Sequence, residues 1–122
     1  MYGHERDSVA CTPFQLAVYA AVRCIPAGRV STYAAVAAAI GCKSPRAIGQ
    51  ALKVNPFAPA VPCHRVISAS LTLGGFKGST DHDALRQKRR LLAQEGVEFG
   101  ADGKLKDRRV LMQAGQAGAL AA

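Results

Sequence analysis

A cysteine, a histidine and an arginine stand in consecutive positions, Cys63, His64 and Arg65, within a short run of otherwise apolar residues. A plain buried strand has no use for ionisable groups side by side, so this arrangement indicates chemistry. A free cysteine with a pKa of about 8.5 is only a few per cent thiolate near neutral pH, and a neighbouring histidine raises that fraction. We therefore predict that Cys63 is a nucleophile and that His64 is its base.

The predicted nucleophile needs a turn and a carboxylate beside it. Adjacent residues of a regular strand point to opposite faces, so Pro62 must help the chain to turn if His64 is to reach Cys63. A carboxylate must then hold the imidazole in one tautomer, and we select Glu95 for this role. In the alternative interpretation Cys63 is a small buried apolar residue and His64 a surface residue, which is the commoner case for an isolated Cys-His pair.

Four helices are predicted around this segment from capping residues and from the helical spacing of apolar residues. The first begins at the Thr12 cap and has an apolar stripe between Phe14 and Ile25, and the second begins at the Ser31 cap and runs from Thr32 to Ile40. The third runs from Ser44-Pro45 to the break at Asn55-Pro56, and the fourth runs from a cap at Thr80 or Asp81 to Glu95. The second and third, joined by a short turn with a glycine, have the outline of a helix-turn-helix, a weak signal by itself.

The fourth helix is predicted to be amphipathic. Its inward residues are Leu85, Leu91 and Leu92, and its opposite face carries Arg86, Lys88, Arg89 and Arg90.

The predicted fold class is mainly α: a small winged helix-turn-helix-like domain with an extended active-site segment and a short C-terminal hairpin. The backbone is expected to be extended over 57–61, and the hairpin is expected to pair 97–99 with 104–106. We expect residues 1–11 to form an N-terminal arm, 12–106 the domain, and 107–122 a mobile C-terminal tail.

The composition indicates a single small domain with a strong positive charge. The chain has 122 residues, a formal net charge of +8 and a pI of about 9.8. Such an excess attracts polyanions, although a basic surface that binds nothing in particular is an equally good interpretation of the charge alone. No apolar stretch is long enough to span a bilayer, and the polar N-terminus is not a secretory signal.

The cysteines favour neither a zinc site nor a disulfide framework, because the sequence has no C-x-x-C pair. Cys11, Cys24 and Cys42 are assigned to the core. We expect an intracellular protein, cytoplasmic in a prokaryote or nuclear in a eukaryote, without a metal.

The chain from about residue 12 to about residue 99 resembles the O6-alkylguanine-DNA alkyltransferases, the methylated-DNA–protein-cysteine methyltransferases. Five blocks carry the resemblance in the family's order: Ile25 to Tyr33, Arg46 to Ala51, Asn55-Pro56, Val61 to Ile67, and Leu91 to Gly96. The resemblance implies direct, irreversible transfer of an alkyl group from guanine O6 in double-stranded DNA to Cys63. The damaged nucleotide would be flipped out of the helix, and the protein would act once, as a monomer, without a cofactor.

The resemblance also implies a role for each matching residue. His64 and Glu95 would draw the proton from Cys63 through water, Tyr33 would donate a proton toward guanine N3, and Asn55 would tie the helix-turn-helix to the reactive segment. Arg46 would fill the gap left by the flipped nucleotide. The remaining DNA contacts are assigned to Tyr33, Ser31, Thr32, Ala47 and Gly49, and the base pocket to Pro62, Val66, Phe76 and Lys77.

Two departures from the family pattern affect these expectations. The family's separate N-terminal domain is missing from this sequence, as is any metal site in it, and Phe76 stands where many relatives have tyrosine, which puts the substrate range in doubt. The alkyltransferase-like proteins, which bind such lesions without repairing them, also lack that domain, but they replace the cysteine by tryptophan. Lesion binding without repair is therefore the main alternative, followed by a helix-turn-helix regulator and a thiol hydrolase.

Overall fold

The computed structural model describes residues 11–76 and 80–112, and within them the fold is mainly helical, as predicted. Four α-helices frame a two-stranded sheet and two short 3-10 turns. The elements are α1 (Pro13–Arg23), β1 (Ser31–Thr32), α2 (Tyr33–Ala39), α3 (Pro45–Lys53), a 3-10 turn at Cys63–Arg65 called the reactive turn, β2 (Val66–Ile67), α4 (His82–Gln94) and a 3-10 turn at Arg108–Val110.

The helices begin at side-chain caps, at or close to the positions that the sequence predicts. Thr12 and Gln15 form a reciprocal capping box at α1, and Ser44 accepts from the Ala47 N–H at α3. The prediction for α2 is wrong by one residue. Thr32 caps this helix, whereas Ser31 lies in β1.

The main core lies between α1, α2, α3 and the reactive turn. The apolar stripe predicted for α1 is rotated, because Phe14 is exposed and Tyr19 is buried. The Tyr19 hydroxyl donates to the Ala51 carbonyl of α3 at 2.7 Å, and its ring meets Phe57 edge-on with centroids 5.7 Å apart. This hydrogen bond explains why Tyr19, rather than the expected Phe14, anchors α1 on α3.

The two strands join the reactive turn to the helix-turn-helix. β1 and β2 are parallel, with Ser31 opposite Val66 and Thr32 opposite Ile67. Because β1 leads directly into α2 and β2 follows directly after the reactive turn, this pairing fixes the start of α2 beside Cys63.

The segment that leads into the reactive turn is not extended as expected, whereas the predicted hairpin pairing is found. Residues 57–61 form turns, with a cis peptide bond between Ala58 and Pro59. The expected hairpin is present in a short form: Phe99 and Leu105 form an antiparallel bridge, the Gly100 N–H donates to the Lys104 carbonyl at 2.8 Å, and the Lys106 N–H donates to the Glu98 carbonyl at 3.0 Å.

Residues 107–112 belong to the folded domain, so the predicted boundary at residue 106 is wrong. Val30 accepts from the Met112 N–H at 2.8 Å and donates to the Val110 carbonyl at 2.9 Å. These bonds add the segment to the edge of β1. The rest of the expected tail and nearly all of the expected N-terminal arm lie outside the described residues. Across the described ranges, none of the helices has the length and apolar character needed to cross a membrane.

Candidate active site

The reactive turn begins at Pro62 and carries Cys63 and His64 on one compact bend. The Arg65 N–H donates to the Pro62 carbonyl at 2.9 Å, and the Cys63 N–H donates to the Val61 carbonyl at 2.9 Å. The prediction that Pro62 helps the chain to turn is confirmed, because Pro62 is the residue that precedes the 3-10 turn. The turn removes the strand geometry that would send the two side chains to opposite faces.

His64 and Glu95 form the pair that the sequence predicts. The Nε2 of His64 lies 2.9 Å from Oε2 of Glu95, the residue that caps the C-terminus of α4. His64 is buried, so the interpretation of it as a surface residue is wrong. With Nε2 held by a carboxylate, the ring's Nδ1 is left as its other proton-accepting position.

Arg65 was missed as a site residue, although it stands next to His64 in the sequence. Its Nε and Nη2 donate to the two oxygens of Glu95 at 3.0 and 2.8 Å, and its Nη1 donates to the Ile25 carbonyl at 2.8 Å. Burial alone would raise the pKa of Glu95, but hydrogen bonds from Arg65 and His64 outweigh it and lower that pKa to about 2. Glu95 is therefore ionised at neutral pH.

Gly28 completes the set of donors around this carboxylate. Its backbone N–H points at Oε1 of Glu95 over 3.4 Å, and its φ of +88° is one that only glycine adopts without strain.

Asn55 ties the end of α3 to the reactive segment, as expected. Its Nδ2 donates to the Val61 carbonyl at 3.0 Å, and its Oδ1 accepts from the Phe57 N–H at 2.9 Å. One side chain thereby fixes the turns that lead into Cys63.

Cys63 forms part of the walls of two pockets. The larger, about 360 Å³, lies against α3 and is lined by Tyr33, Arg46, Gly49, Gly75 and Phe76 among others. The smaller, about 220 Å³, lies between the 58–61 turns and α4 and is lined by Pro59, His64, Phe76 and Leu91 among others. Cys63 is buried, yet it is not sealed from these openings. The other three cysteines are half-buried, and two of them, Cys11 and Cys42, pack against the main core as expected.

Tyr33, which lines the larger pocket, forms a second polar group with the buried Lys88, whose Nζ lies 3.5 Å from the Tyr33 hydroxyl. The Tyr33 hydroxyl lies 3.4 Å from the Gly75 carbonyl, to which it can donate. Burial, with a smaller contribution from Cys63, raises the pKa of Tyr33 to about 12. Tyr33 is therefore protonated near neutral pH and able to donate.

The prediction that Lys88 lies on the outer face of α4 is wrong, because its side chain is fully buried. The signal was present in the sequence: Lys88 lies three or four residues from Ala84, Leu85, Leu91 and Leu92, and it therefore shares their helical face. Its Nζ donates to the carbonyls of Val66, Leu73 and Gly75 at 2.7, 2.7 and 2.8 Å.

All but one of the residues predicted to contact DNA are exposed or half-buried: Arg46, Ala47 and Gly49 on α3, and Thr32 and Tyr33 at the start of α2. Arg46 is exposed at the pocket mouth. A Cβ at Gly49 would meet no described protein atom within 4 Å, so packing within the described chain does not require a glycine there. Ser31 is the exception: its side chain is fully buried, and its hydroxyl has no partner among the described residues. The predicted DNA contact by Ser31 is wrong for that reason.

Of the other residues predicted for the base pocket and the DNA contacts, only some line a pocket. Phe76 lines both pockets. Pro62 and Val66 are buried and are not among the residues that line the two pockets, and the Val66 carbonyl already accepts from Lys88. Thr32 and Ala47 are half-buried, and Lys77 lies outside the described residues.

The domain that holds this site matches a known protein family. The family model described as "6-O-methylguanine DNA methyltransferase, DNA binding domain" matches residues 13–97, which include every described residue of the site. This chain belongs to that family.

Relatives of this methyltransferase-family domain come from archaea, bacteria and yeast. It is 43% identical over 93 residues to the methylated-DNA–protein-cysteine methyltransferase of Methanothermobacter thermautotrophicus, a match covering 76% of this chain and 49% of the relative. It resembles the crystal structure of Mycobacterium tuberculosis OGT in complex with DNA (TM-score 0.63, 41% identity, 70% of this chain and 51% of that chain).

It also resembles the crystal structure of S. pombe Atl1 in complex with damaged DNA containing O6-carboxymethylguanine. That match has a TM-score of 0.69 and 29% identity, and it covers 84% of this chain and 97% of that chain. The methyltransferase-family domain thus spans about half the length of the curated methyltransferase it matches, but nearly all of the yeast protein.

Proposed function

We propose that this chain repairs DNA by moving an alkyl group from O6 of guanine to Cys63, once per protein molecule. The observation that carries the proposal is the position of Cys63, which lines a pocket beside α3 and directly precedes a histidine paired with an ionised glutamate. A nucleophile, a base and a place for the substrate are thus adjacent.

The transfer is a single displacement at carbon. The Cys63 thiolate attacks the alkyl carbon, a sulfur–carbon bond forms, the carbon–O6 bond breaks, and its electron pair goes to the guanine. The guanine takes up a proton and becomes the normal base. The product on the protein is a thioether, which water does not cleave, so the protein is consumed in the reaction.

His64 and Glu95 prepare the thiolate. Glu95 stays ionised because its pKa is lowered to about 2 by Arg65 and His64 against the effect of burial, and it holds the Nε2–H of the imidazole. Nδ1 then takes the thiol proton through a water molecule, and the resulting imidazolium is stabilised by the carboxylate. Tyr33 donates toward guanine N3, which makes the base a better leaving group.

The substrate base must leave the DNA stack to reach Cys63, because the sulfur lies inside the protein. Flipping costs a few kcal/mol. Arg46, exposed at the mouth of the larger pocket, supplies a planar cation that stacks in the vacated space and contacts phosphate. Gly49, one turn further along α3, leaves room for the DNA backbone to approach.

Stoichiometry tests this function. A duplex with one O6-methylguanine is titrated with protein, and the repaired fraction is read by nuclease digestion and chromatography. We expect one lesion repaired per protein molecule, and none with Cys63→Ala. Cys42→Ala, which removes a half-buried cysteine that lines neither pocket, should repair as the natural sequence does. Multiple turnovers, or no repair by the natural sequence, would contradict the proposal.

Lesion binding without repair remains the second candidate, because the likeness to Atl1 covers 97% of that chain, although at 29% identity against 43% for the archaeal methyltransferase. This candidate predicts selective binding of O6-alkylguanine duplexes by both the natural sequence and Cys63→Ala, with no loss of the alkyl group from DNA. The titration above separates the two candidates, because only the repair protein leaves unmodified guanine behind.

A further inference from the structure

A third cavity, of about 530 Å³ and here called the cationic cavity, lies beside the start of α2 and has no part in the transfer mechanism above. Its walls include Thr32, Ser70, Asp102, Lys104 and Arg108. The next residue after Thr32 is Tyr33, which lines the pocket of about 360 Å³ at Cys63, here called the base pocket. Because consecutive Cα atoms are only about 3.8 Å apart, the cationic cavity and the base pocket adjoin each other at this point.

The two cations of the cationic cavity differ from their neighbours in having no carboxylate partner among the described residues. Lys104 and Arg108 are both exposed. Lys106 and Arg109, in the same segment, each pair with a carboxylate outside the cavity, at 3.7 and 3.0 Å. The charges of Lys104 and Arg108 are therefore available to a ligand, whereas those of the flanking cations are partly neutralised.

Asp102 is the only acidic residue among the described residues that line the cationic cavity. One of its carboxylate oxygens already accepts from the backbone N–H of Lys104 at 3.0 Å. With two cations and one carboxylate on its walls, the cavity has a formal charge of +1. This excess favours an anionic ligand.

Hydroxyl groups add neutral donors to the same walls. The Thr32 oxygen accepts from the Ala35 N–H at 3.0 Å, so its own proton can be donated to a ligand. The Ser70 oxygen lies 3.0 Å from the hydroxyl oxygens of both Ser68 and Thr72. These three hydroxyls share two bonds, which leaves one proton for an acceptor outside the chain of hydroxyls. Cations together with hydroxyl donors are the groups that bind phosphate oxygens of DNA.

The backbone holds both cations in position relative to α2. The Leu105 N–H, next to Lys104, donates to the Leu71 carbonyl at 2.8 Å. Leu71 itself has a φ of +67°, a left-handed conformation that is unusual for leucine. Strained backbone of this kind is concentrated at binding sites, where the surrounding fold imposes it. On the other side, the bonds between Val30 and residues 110–112 fix the turn that begins at Arg108.

We propose that the cationic cavity binds a backbone phosphate of the lesion-bearing DNA strand, next to the flipped nucleotide, with Lys104 and Arg108 as its charged donors. The inference rests on the proposed function, because a guanine in the base pocket brings its own strand to Tyr33 and therefore to Thr32. A phosphate contact carries no sequence information, but it fixes the register of the strand on the protein. It would place the damaged base, rather than a neighbouring one, at the base pocket.

The test is a scan in which a single uncharged methylphosphonate linkage is moved along the lesion strand of an O6-methylguanine duplex. Binding is measured with Cys63→Ala protein, called the parent, so that the lesion is not consumed. We expect the parent to lose affinity by about tenfold at one or two linkages beside the lesion, as for loss of a charged hydrogen bond. A scan that is flat around the lesion would overturn the inference, even if the cavity binds inorganic phosphate.

A pair of double variants, made on the parent, assigns the sensitive linkage to the cavity. Lys104→Gln with Arg108→Gln should bind the all-phosphate duplex more weakly and should no longer respond to methylphosphonate at that linkage, because the two changes remove the same interaction. Lys106→Gln with Arg109→Gln is the matched control, since it removes the same charge from the same segment but outside the cavity. It should keep the scan of the parent. Identical scans for the two double variants would overturn the inference.

Salt dependence supplies a second readout on the same proteins. The slope of log affinity against log salt concentration should be smaller by about one for the cavity variant than for the parent, because one phosphate fewer is neutralised. The control variant should keep the slope of the parent. Equal changes of slope in both variants would show that net charge alone matters and would overturn the inference.

The four substituted side chains are exposed, and urea denaturation shows whether each variant is folded. Should the cavity variant fail to fold, the scan of the parent decides alone. Methyl transfer is measured separately, on the natural sequence. Absence of transfer together with the expected scan would refute the proposed repair activity, whereas transfer together with a flat scan would refute the phosphate site. The two failures are therefore distinguishable.

Discussion

The Nε2 of His64 lies 2.9 Å from Oε2 of Glu95, although 31 positions separate the two residues in the chain. The same carboxylate receives two hydrogen bonds from Arg65. Glu95 therefore orients the imidazole while Arg65 keeps Glu95 itself in place and ionised. This shared carboxylate connects α4 to the reactive turn and makes the end of that helix part of the chemistry.

Glu95→Gln should slow alkyl transfer without preventing DNA binding. The amide can still meet Arg65 or His64, but it carries no charge to stabilise an imidazolium, so we expect a loss of about 100-fold in the single-turnover rate. Glu98→Gln is a suitable control, because Glu98 is exposed and pairs only loosely with Lys106 at 3.7 Å. A Glu95→Gln rate within a factor of about two of the natural one would show that the pair has no part in catalysis.

Stability should fall in acid because of the same carboxylate. Its pKa is lowered in the folded protein from 4.5 to about 2, so the unfolded state binds a proton more readily than the folded state. The contribution of Glu95 is complete above the unfolded pKa and is lost as the pH falls from about 5 toward about 2. Urea midpoints across that range should decline less steeply for Glu95→Gln, and parallel declines would contradict the assignment.

Asn55→Ala should destabilise the fold as well as the site. It removes the donor to the Val61 carbonyl and the acceptor for the Phe57 N–H, and we expect a loss of about 1–3 kcal/mol in the free energy of unfolding. Asn55→Asp keeps the acceptor but loses the donor, so its free energy of unfolding in urea should lie between those of the natural sequence and Asn55→Ala. An alanine variant as stable as the natural sequence would show that the turns that lead into Cys63 are stable without the Asn55 side chain.

Arg46→Ala should impair repair of duplex DNA more than repair of a single strand. If Arg46 fills the space of the flipped nucleotide, its loss raises the cost of flipping, and that cost is smaller where no duplex has to open. We expect at least about a tenfold loss in transfer rate on duplex and a clearly smaller loss on a single-stranded oligonucleotide. Arg86→Ala removes the same charge from exposed α4 surface and should affect both substrates slightly and equally.

Local signals in the sequence were sufficient for the helices and for part of the site. Caps such as Thr12 and Ser44 act through atoms three residues away, so the sequence predicts them directly. The pairing of His64 with Glu95 was predicted because the chemistry of an imidazole demands a carboxylate. The pairing of Val30 with residues 110–112 could not be predicted, since it depends on residues far apart in the chain.

Lys88 and Ser31 show why the remaining predictions failed. Lysine is rarely fully buried, so its charge places Lys88 on the outer face of α4 in the prediction, although its helical position is on the inner face. Only the three carbonyls brought together by the fold make burial of Lys88 tolerable. Ser31 is a good capping residue by type, but its pairing with Val66 draws it into β1, and the cap passes to Thr32.

Mass spectrometry of the protein after reaction tests the central claim most directly. The natural sequence is incubated with excess O6-methylguanine duplex, and both the intact protein and its proteolytic peptides are weighed. The account predicts complete conversion to a species heavier by one methylene, with the added mass on Cys63 and on none of the other cysteines. An unchanged protein mass, or an adduct placed on Cys11, Cys24 or Cys42, would contradict it.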